Sequence, residues 1–212
     1  MKKNKISYTK KELFWKILLT AALLLIAIMM VFPIAWMLSA SFKHENVVFN
    51  IPIEWIPKQP TLSNFITAFT DFPYIHWYMN TIMVTIMVVI LVLTVSSLAG
   101  YAFAKLNFKG NDKLFLFLIL TMIVPSEVII VPLFLIVKNL GWLNTFKALI
   151  LPLPTAFGVF IMRQAILDIP EDLINAAKID GCGNLRIFFK IVLPMVKSSV
   201  LALSIFTFVG AW

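Results

Sequence analysis

Long runs of apolar residues, separated by short polar segments, dominate this chain. An α-helix needs about 20 mostly apolar residues to cross a bilayer. Runs of this kind predict spans at about residues 17–38, 78–101, 114–137, 144–164 and 198–212. The runs are continuous rather than alternating, which favours helical spans over a barrel. We therefore predict an all-α, polytopic membrane protein with a single transmembrane domain over residues 1–212.

Two of these runs are irregular. The third contains Glu127 and is bracketed by Pro125 and Pro132. The fourth has only 15 uncharged residues between Lys147 and Arg163, about 22 Å of helix. It reaches across a bilayer only if those two side chains extend toward the interfaces. In the second run, small residues recur one helical turn apart at positions 96, 100 and 104, which predicts close packing against another helix.

Composition and charge support this membrane assignment. Of the 212 residues, 61% are hydrophobic and only 13% are charged, about half the charged share of a soluble domain. The net charge of +8 does not indicate nucleic-acid binding, because the basic residues cluster at the ends of apolar runs. Fourteen of the 18 Lys and Arg residues lie in segments 1–16, 100–113 and 163–197. The positive-inside rule then makes the N-terminus and residues 165–197 cytoplasmic and residues 39–76 an external loop, in a multi-pass protein of the cell membrane.

The ends of the chain lead to two further expectations. The first apolar run, at 22 residues, is longer than the apolar region of a signal peptide, so we interpret it as an uncleaved span, with cleavage near "LSAS" as the alternative. The chain is still apolar at Trp212, so we expect a C-terminally truncated sequence that lacks a further span.

Candidate chemistry is sparse. No phosphate-binding loop, catalytic cluster or metal-ligand spacing is present, so we predict no catalytic residues, no metal and no cofactor. The chain has one cysteine and therefore no internal disulfide. Glu127 has two open interpretations. It belongs to a translocation pathway, or it lies near the outer interface or bonds to backbone freed by the neighbouring prolines.

The segment between the fourth and fifth runs predicts a short helix on the cytoplasmic side. Pro170 suits a first helical turn, Glu171 and Asp172 suit the positive end of the helix dipole, and Gly181 suits a left-handed C-terminal residue. Such a helix is too short to span a bilayer. It either docks with a soluble partner or lies flat on the membrane surface. Small residues at positions 176, 177 and 181 favour docking.

The letters of this segment resemble a known motif. "NAAKIDG", nine residues and then "IVLP" are similar to the EAA loop of permease subunits in binding-protein-dependent ABC importers, although Asn175 stands where the family has Glu. Further stretches, including "PTLSNF", "LAGYAFAKLNFKG" and "GWLNTFKALILP", resemble carbohydrate-uptake permeases of the maltose type, which have six spans.

This resemblance implies a function and a set of partners. The helix would be the coupling helix that docks on a cytoplasmic ATP-binding subunit, where ATP is hydrolysed, so this chain itself would be a transport subunit and not an enzyme. A second, homologous permease subunit would complete the pathway, and an extracellular or periplasmic solute-binding protein would deliver the solute. The ATPase-coupling residues are then Glu171, Asn175, Ala176, Ala177, Asp180 and Gly181. Glu127 is the candidate pathway residue.

Other functions remain open at this point. An importer permease for a non-sugar solute would share the same motif, and a neighbouring binding protein would identify it. A stand-alone secondary transporter or channel would move its solute without any ATPase. A membrane enzyme or scaffold is disfavoured, because no catalytic cluster is present.

Overall fold

The regular secondary structure of the described part of the protein is all helical. A computed structural model describes residues 9–49 and 51–212, and every regular element in these ranges is a helix. The predicted all-α class is therefore confirmed. Residues 1–8 of the predicted cytoplasmic tail, and Asn50 of the predicted external loop, lie outside the described residues. The chain divides after Ile75 into two compact units.

The first unit is built on α1 (Lys10–Ser41), a helix of 32 residues. The helix begins at a capping box, in which the Thr9 N–H donates to the Glu12 carboxylate at 2.8 Å and the Glu12 N–H donates to the Thr9 hydroxyl at 3.4 Å. These bonds provide partners for backbone groups that the helix cannot satisfy itself. No residue of α1 is buried.

The segment after α1 is held to the end of that helix by polar contacts. The Lys43 side chain is 2% exposed, lies over the Trp36 ring at 4.3 Å and donates to the Glu54 carbonyl. Asn64, in α2 (Ser63–Thr70), donates to the Lys43 carbonyl at 2.7 Å. Glu54 accepts from Lys58 at 2.8 Å. This bond lowers the pKa of Glu54 and raises the pKa of Lys58.

The second unit contains most of α3 and all later helices. They are α3 (Tyr74–Lys105), α4 (Asn111–Leu120), α5 (Ser126–Asn139), α6 (Phe146–Ile150), α7 (Ala156–Leu167), α8 (Glu171–Ile179), α9 (Asn184–Ile187), α10 (Leu193–Met195) and α11 (Lys197–Ala211). A 3-10 turn, Thr121–Ile123, follows α4, and a π-helical segment, Phe188–Val192, joins α9 to α10.

Prolines divide two segments that the hydrophobic pattern presents as continuous. The run 114–137 is a pair of helices, α4 with its 3-10 turn and then α5, bent by 103°. The break is at Pro125, because the residue before a proline is driven out of helical geometry. That residue, Val124, is extended with ψ 118°. The run 144–164 is likewise α6 and α7, separated by a stretch that contains Pro152 and Pro154.

The third break precedes the last helix. Between α10 and α11 the chain turns by 80° at Val196, two residues after Pro194. Pro194 lacks the N–H that would bond to the carbonyl four residues earlier, and its ring crowds that carbonyl. The wider π-helical segment immediately before it accommodates this crowding. Gly183 is the N-cap of α9, and Asn184 is its first residue.

The lengths of these helices bear on membrane crossing. Among residues 9–49 and 51–212, α1 and α3 are each long and apolar enough to cross a bilayer, and the two bent pairs raise the total to four if each forms one span. The boundaries of the five predicted spans stay predictions.

Helices α3 and α7 approach each other closely at glycines. A Cβ added at Gly100 would lie 2.8 Å from the Met162 Cβ and 2.8 Å from the Arg163 backbone nitrogen. A Cβ added at Gly158 would overlap the Ser96 hydroxyl. The predicted small-residue face of the second run, at Ser96 and Gly100, is therefore a helix–helix contact.

Gly158→Ala is expected to lower the unfolding midpoint of the purified protein in detergent, because its Cβ would overlap Ser96. Overpacking of this kind costs about 1–3 kcal/mol. Adding Ser96→Ala removes the overlapping oxygen, so the double variant should recover part of the loss. Gly210→Ala is the matched control, since nothing lies within 4 Å of its Cβ position. Equal midpoints for Gly158→Ala and Gly210→Ala would contradict the close approach.

Candidate functional site: the short helix α8 and an inter-helical cavity

The segment from Pro170 to Gly181 folds as a short helix, as predicted. Pro170 is the N-cap, with φ −56° and ψ 134°, and α8 follows it. A proline is tolerated there because the first N–H groups of a helix have no partner within it. Glu171 and Asp172 lie in the first turn and Lys178 in the last, which matches the helix dipole at both ends. With 9 residues, α8 is about 14 Å long.

A tight turn ends this helix. Gly181 has φ +76°, in the left-handed region where a side chain is strained. Its N–H donates to the Lys178 carbonyl at 3.0 Å, and the Cys182 N–H donates to the Ala177 carbonyl at 2.9 Å. This pair of bonds is a Schellman motif. It fixes the end of α8 and reverses the chain toward α9, as the glycine predicted.

One face of α8 belongs to the core of its own unit. Ile174 is 3% exposed and Ala177 is 6% exposed. They pack in a cluster that spans α3, α7, α9 and the π-helical segment, with Tyr101, Met162, Ile166, Ile169, Ile187, Phe188 and Val192. Ala177, predicted to contact an ATPase, is therefore turned toward the chain's own core. Its small size lets α8 lie close to that core.

The opposite face of α8 is exposed. Successive helical residues are about 100° apart, so Asp172, Asn175, Ala176 and Ile179 lie opposite Ile174 and Ala177. We call these four residues the outward face. All four are exposed, and the Ile179 side chain is 87% exposed. The outward face thus presents the Ile179 side chain beside Ala176, and no described residue of the chain covers them.

The predicted coupling residues thus divide into groups. Asn175 and Ala176 share the outward face, Glu171 and Asp180 are exposed at the two ends of α8, and Gly181 forms the turn. Sequence reasoning did not select Asp172 and Ile179 for this role. Their i, i+3, i+4, i+7 spacing with Asn175 and Ala176 is the periodic signal that would have found them.

Glu127 lies at the break between α4 and α5. It is exposed in the first turn of α5, and the Ser126 hydroxyl donates to its carboxylate at 3.1 Å. A carboxylate at this position also interacts favourably with the helix dipole. The helix N-terminus thus accounts for the residue structurally, and its role in a pathway stays a prediction.

A cavity that the sequence did not reveal lies within the second unit. Its volume is about 580 Å³, and it is lined by Asn80, Thr81, Val84, Leu133, Phe146, Ala148, Leu149, Pro152, Leu153, Gly210, Ala211 and Trp212. Asn80 and Thr81, in the N-terminal half of α3, supply polar side chains in an otherwise apolar and aromatic wall. Glu127 is not among the lining residues.

Comparison with known proteins decides the family. Residues 96–212, more than half of the chain, match the family model described as "binding-protein-dependent transport system inner membrane component". The chain belongs to this family. The resemblance to ABC importer permeases, first noted from the EAA-like segment, is therefore confirmed, and the permease is an inner membrane component of a transport system.

Named relatives match across most of the permease. It is 38% identical over 208 residues to the arabinooligosaccharides transport system permease protein of Halalkalibacterium halodurans, covering 96% of this chain and 74% of the relative. It is 37% identical to the sulfoquinovosyl glycerol transport system permease protein of Agrobacterium fabrum, covering 85% and 65%. It is 28% identical to the trehalose/maltose transport system permease protein of Thermococcus litoralis, covering 96% and 74%.

The fold is also found in a solved structure. A chain in the crystal structure of a bacterial ABC transporter involved in the import of the acidic polysaccharide alginate matches with a TM-score of 0.88 and 22% identity. The match covers 97% of the permease and 73% of that chain. The permease therefore has the ABC importer transmembrane fold, as predicted.

Gly181→Ala is expected to destabilise the end of α8, because a left-handed backbone costs a residue with a Cβ roughly 1–2 kcal/mol. The unfolding midpoint in detergent should fall, and protease should cut between α8 and α9 sooner. Gly183→Ala is the matched control, since Gly183 has φ −73° and nothing lies within 4 Å of its Cβ position. If the two variants behave alike, the turn does not depend on the left-handed glycine.

Proposed function

We propose that the permease forms half of the translocation pathway for a sugar or a related polyhydroxylated solute. The support is the chemistry named for its relatives, which transport arabinooligosaccharides, sulfoquinovosyl glycerol and trehalose or maltose. The cavity on the outer half of α3 offers hydrogen-bonding side chains, Asn80 and Thr81, within apolar walls. Binding sites for small polar molecules commonly combine these two features.

We further propose that the outward face of α8 docks on a cytoplasmic ATP-binding subunit. The observation that carries this proposal is that α8 has one buried face and one exposed face. Ile174 and Ala177 anchor it in the core, while Ala176 and Ile179 are left without cover. A helix anchored in this way can pass a displacement of its partner to the helices beneath it. Asn175 lies on this face, so its amide takes the place of the carboxylate that the family motif has there.

The remaining partners and the orientation follow from the family and the charge pattern. A second, homologous permease subunit would complete the pathway, and a solute-binding protein would deliver the solute from outside. The N-terminus and α8 would lie in the cytoplasm, where most of the Lys and Arg residues are placed. ATP hydrolysis would occur in the ATP-binding subunit.

Ile179→Arg and Ala176→Arg are expected to reduce co-purification of the ATP-binding subunit from membranes. Desolvating an unpaired charge costs several kcal/mol, and about 1.4 kcal/mol corresponds to a tenfold change in affinity. Recovery should therefore fall more than about tenfold, while membrane insertion is unchanged because both residues are exposed.

Leu185→Arg is the matched control. Leu185 is 67% exposed but lies beyond the Gly181 turn, off the outward face. Full recovery of the ATP-binding subunit with Ile179→Arg, or equal losses with all three variants, would argue against docking through this face. Uptake that persists after deletion of the ATP-binding subunit would instead favour a stand-alone transporter. Titration of the cognate binding protein with oligosaccharides and with amino acids separates a sugar from a non-sugar solute.

A further inference from the structure

The cytoplasmic end of α3 is joined to the start of α8 by one side chain. Lys105, the last residue of α3, donates from its ammonium group to the Ile169 carbonyl at 2.7 Å and to the Leu167 carbonyl at 3.5 Å. Ile169 directly precedes Pro170, the N-cap of α8, and Leu167 is the last residue of α7. A single cation therefore contacts the junction from which α8 begins.

The chemistry of this junction favours a cation. The last carbonyls of α7 have no intrahelical donor, and they carry the negative end of its dipole. Lysine near a helix C-terminus can bond to such carbonyls. Because the donor is charged, the bonds are stronger than neutral ones. Lys105 thus donates, from a different helix, to the last carbonyl of α7 and to the Ile169 carbonyl just beyond that helix.

A hydrogen bond also runs in the opposite direction, from a side chain of α7 to a carbonyl of α3. Arg163 of α7 donates to the Phe103 carbonyl of α3 at 3.4 Å, and its guanidinium lies over the Phe115 ring of α4 at 4.0 Å. Asn111 donates to the Leu106 carbonyl at 3.1 Å. The ends of α3 and α7 are therefore connected in both directions by polar side chains.

Apolar packing joins α3 to the π-helical segment that precedes α10. The Tyr101 ring lies 5.4 Å from the Phe188 ring of the π-helical segment, and both residues belong to the core that holds α8. Packing of this kind is not directional and permits small sliding movements. Hydrogen bonds are directional, so the Lys105 bond to Ile169 defines the position of α3 relative to the start of α8 more narrowly than this apolar packing does.

We propose that Lys105 is the positioning residue that makes α3 follow α8. A displacement of α8 by its partner would reach α3 through the Lys105 bonds. It would then move the outer half of α3, where Asn80 and Thr81 line the cavity. The distance from Thr81 to Lys105 along the helix is roughly 36 Å. This inference rests on the proposed docking of α8, and it assigns the transmitting contact.

The test measures whether α3 and the coupling segment keep a constant separation. Spin labels are placed at Met79→Cys, exposed on the outer end of α3, and at Asn184→Cys, exposed at the start of α9, with Cys182→Ser as background. The permease is purified in nanodiscs with its second permease subunit and ATP-binding subunit. Pulsed electron resonance then measures the label separation without nucleotide and with ATP and vanadate.

Four versions of the labelled permease are compared. With Lys105 present, one separation is expected in both nucleotide states. Lys105→Met should give a shifted or second separation with ATP and vanadate, because its side chain keeps the length but loses the donor. Lys105→Arg should restore the single separation. Lys109→Met, at an exposed position beyond the end of α3, should behave like the unmodified chain.

The outcomes separate the inference from the proposed function. A single, unchanged separation in Lys105→Met would overturn the role of Lys105, as would a nucleotide-dependent shift in the unmodified chain. Should Lys105→Met fail to assemble, Lys105→Gln serves as a second variant, with the same expectations. The ATP-binding subunit is quantified in the same samples. Its absence beside the unmodified chain would contradict docking, whereas its presence with an unchanged Lys105→Met would contradict only the transmission.

Discussion

The close approach of α3 and α7 is the constraint on which the second unit depends. At Gly100 and Gly158 the two helices meet with no room for a Cβ. This proximity places Lys105 within reach of the carbonyls at the end of α7 and Arg163 within reach of Phe103. It also brings Tyr101 into the core on which α8 rests. A wider separation of α3 and α7 would lose these contacts together, because packed interiors tolerate few gaps.

Prolines impose the second constraint. Pro125, Pro152 and Pro154 interrupt apolar runs that would otherwise be long helices, and Pro194 follows a π-helical segment. The resulting short helices and bends line the cavity from several directions, with Leu133 from α5 and Leu149 from α6. Irregular backbone at membrane depth is tolerated where protein covers it or where it borders a cavity. The break between α6 and α7, at Pro152, therefore lies beside a space that a solute pathway would need.

The short helix α8 connects these features to the proposed partner. Its inward residues, Ile174 and Ala177, belong to the core, and its outward residues, Ala176 and Ile179, do not. The Gly181 turn holds this orientation. Neighbouring alanines in one motif thus have different roles, since Ala177 allows close packing and Ala176 remains open to a partner.

Local chemistry was sufficient to predict the helical class, the small-residue contact of α3, and the start and left-handed end of α8. Each of these depends on residues a few positions apart, where periodicity, proline and glycine act directly. Three features could not be predicted in this way. They are the orientation of Ala177 toward the core, the cavity lined by Asn80, and the hydrogen bond from Lys105 to the Ile169 carbonyl. They depend on how separate helices cross, and residues 64 positions apart in the chain meet there. In the sequence Lys105 is one of several basic residues from which the cytoplasmic side is predicted. Only the tertiary structure shows that its ammonium group donates to the end of α7 and to the residue before the α8 N-cap, because the distance between separate helices is not contained in any local pattern.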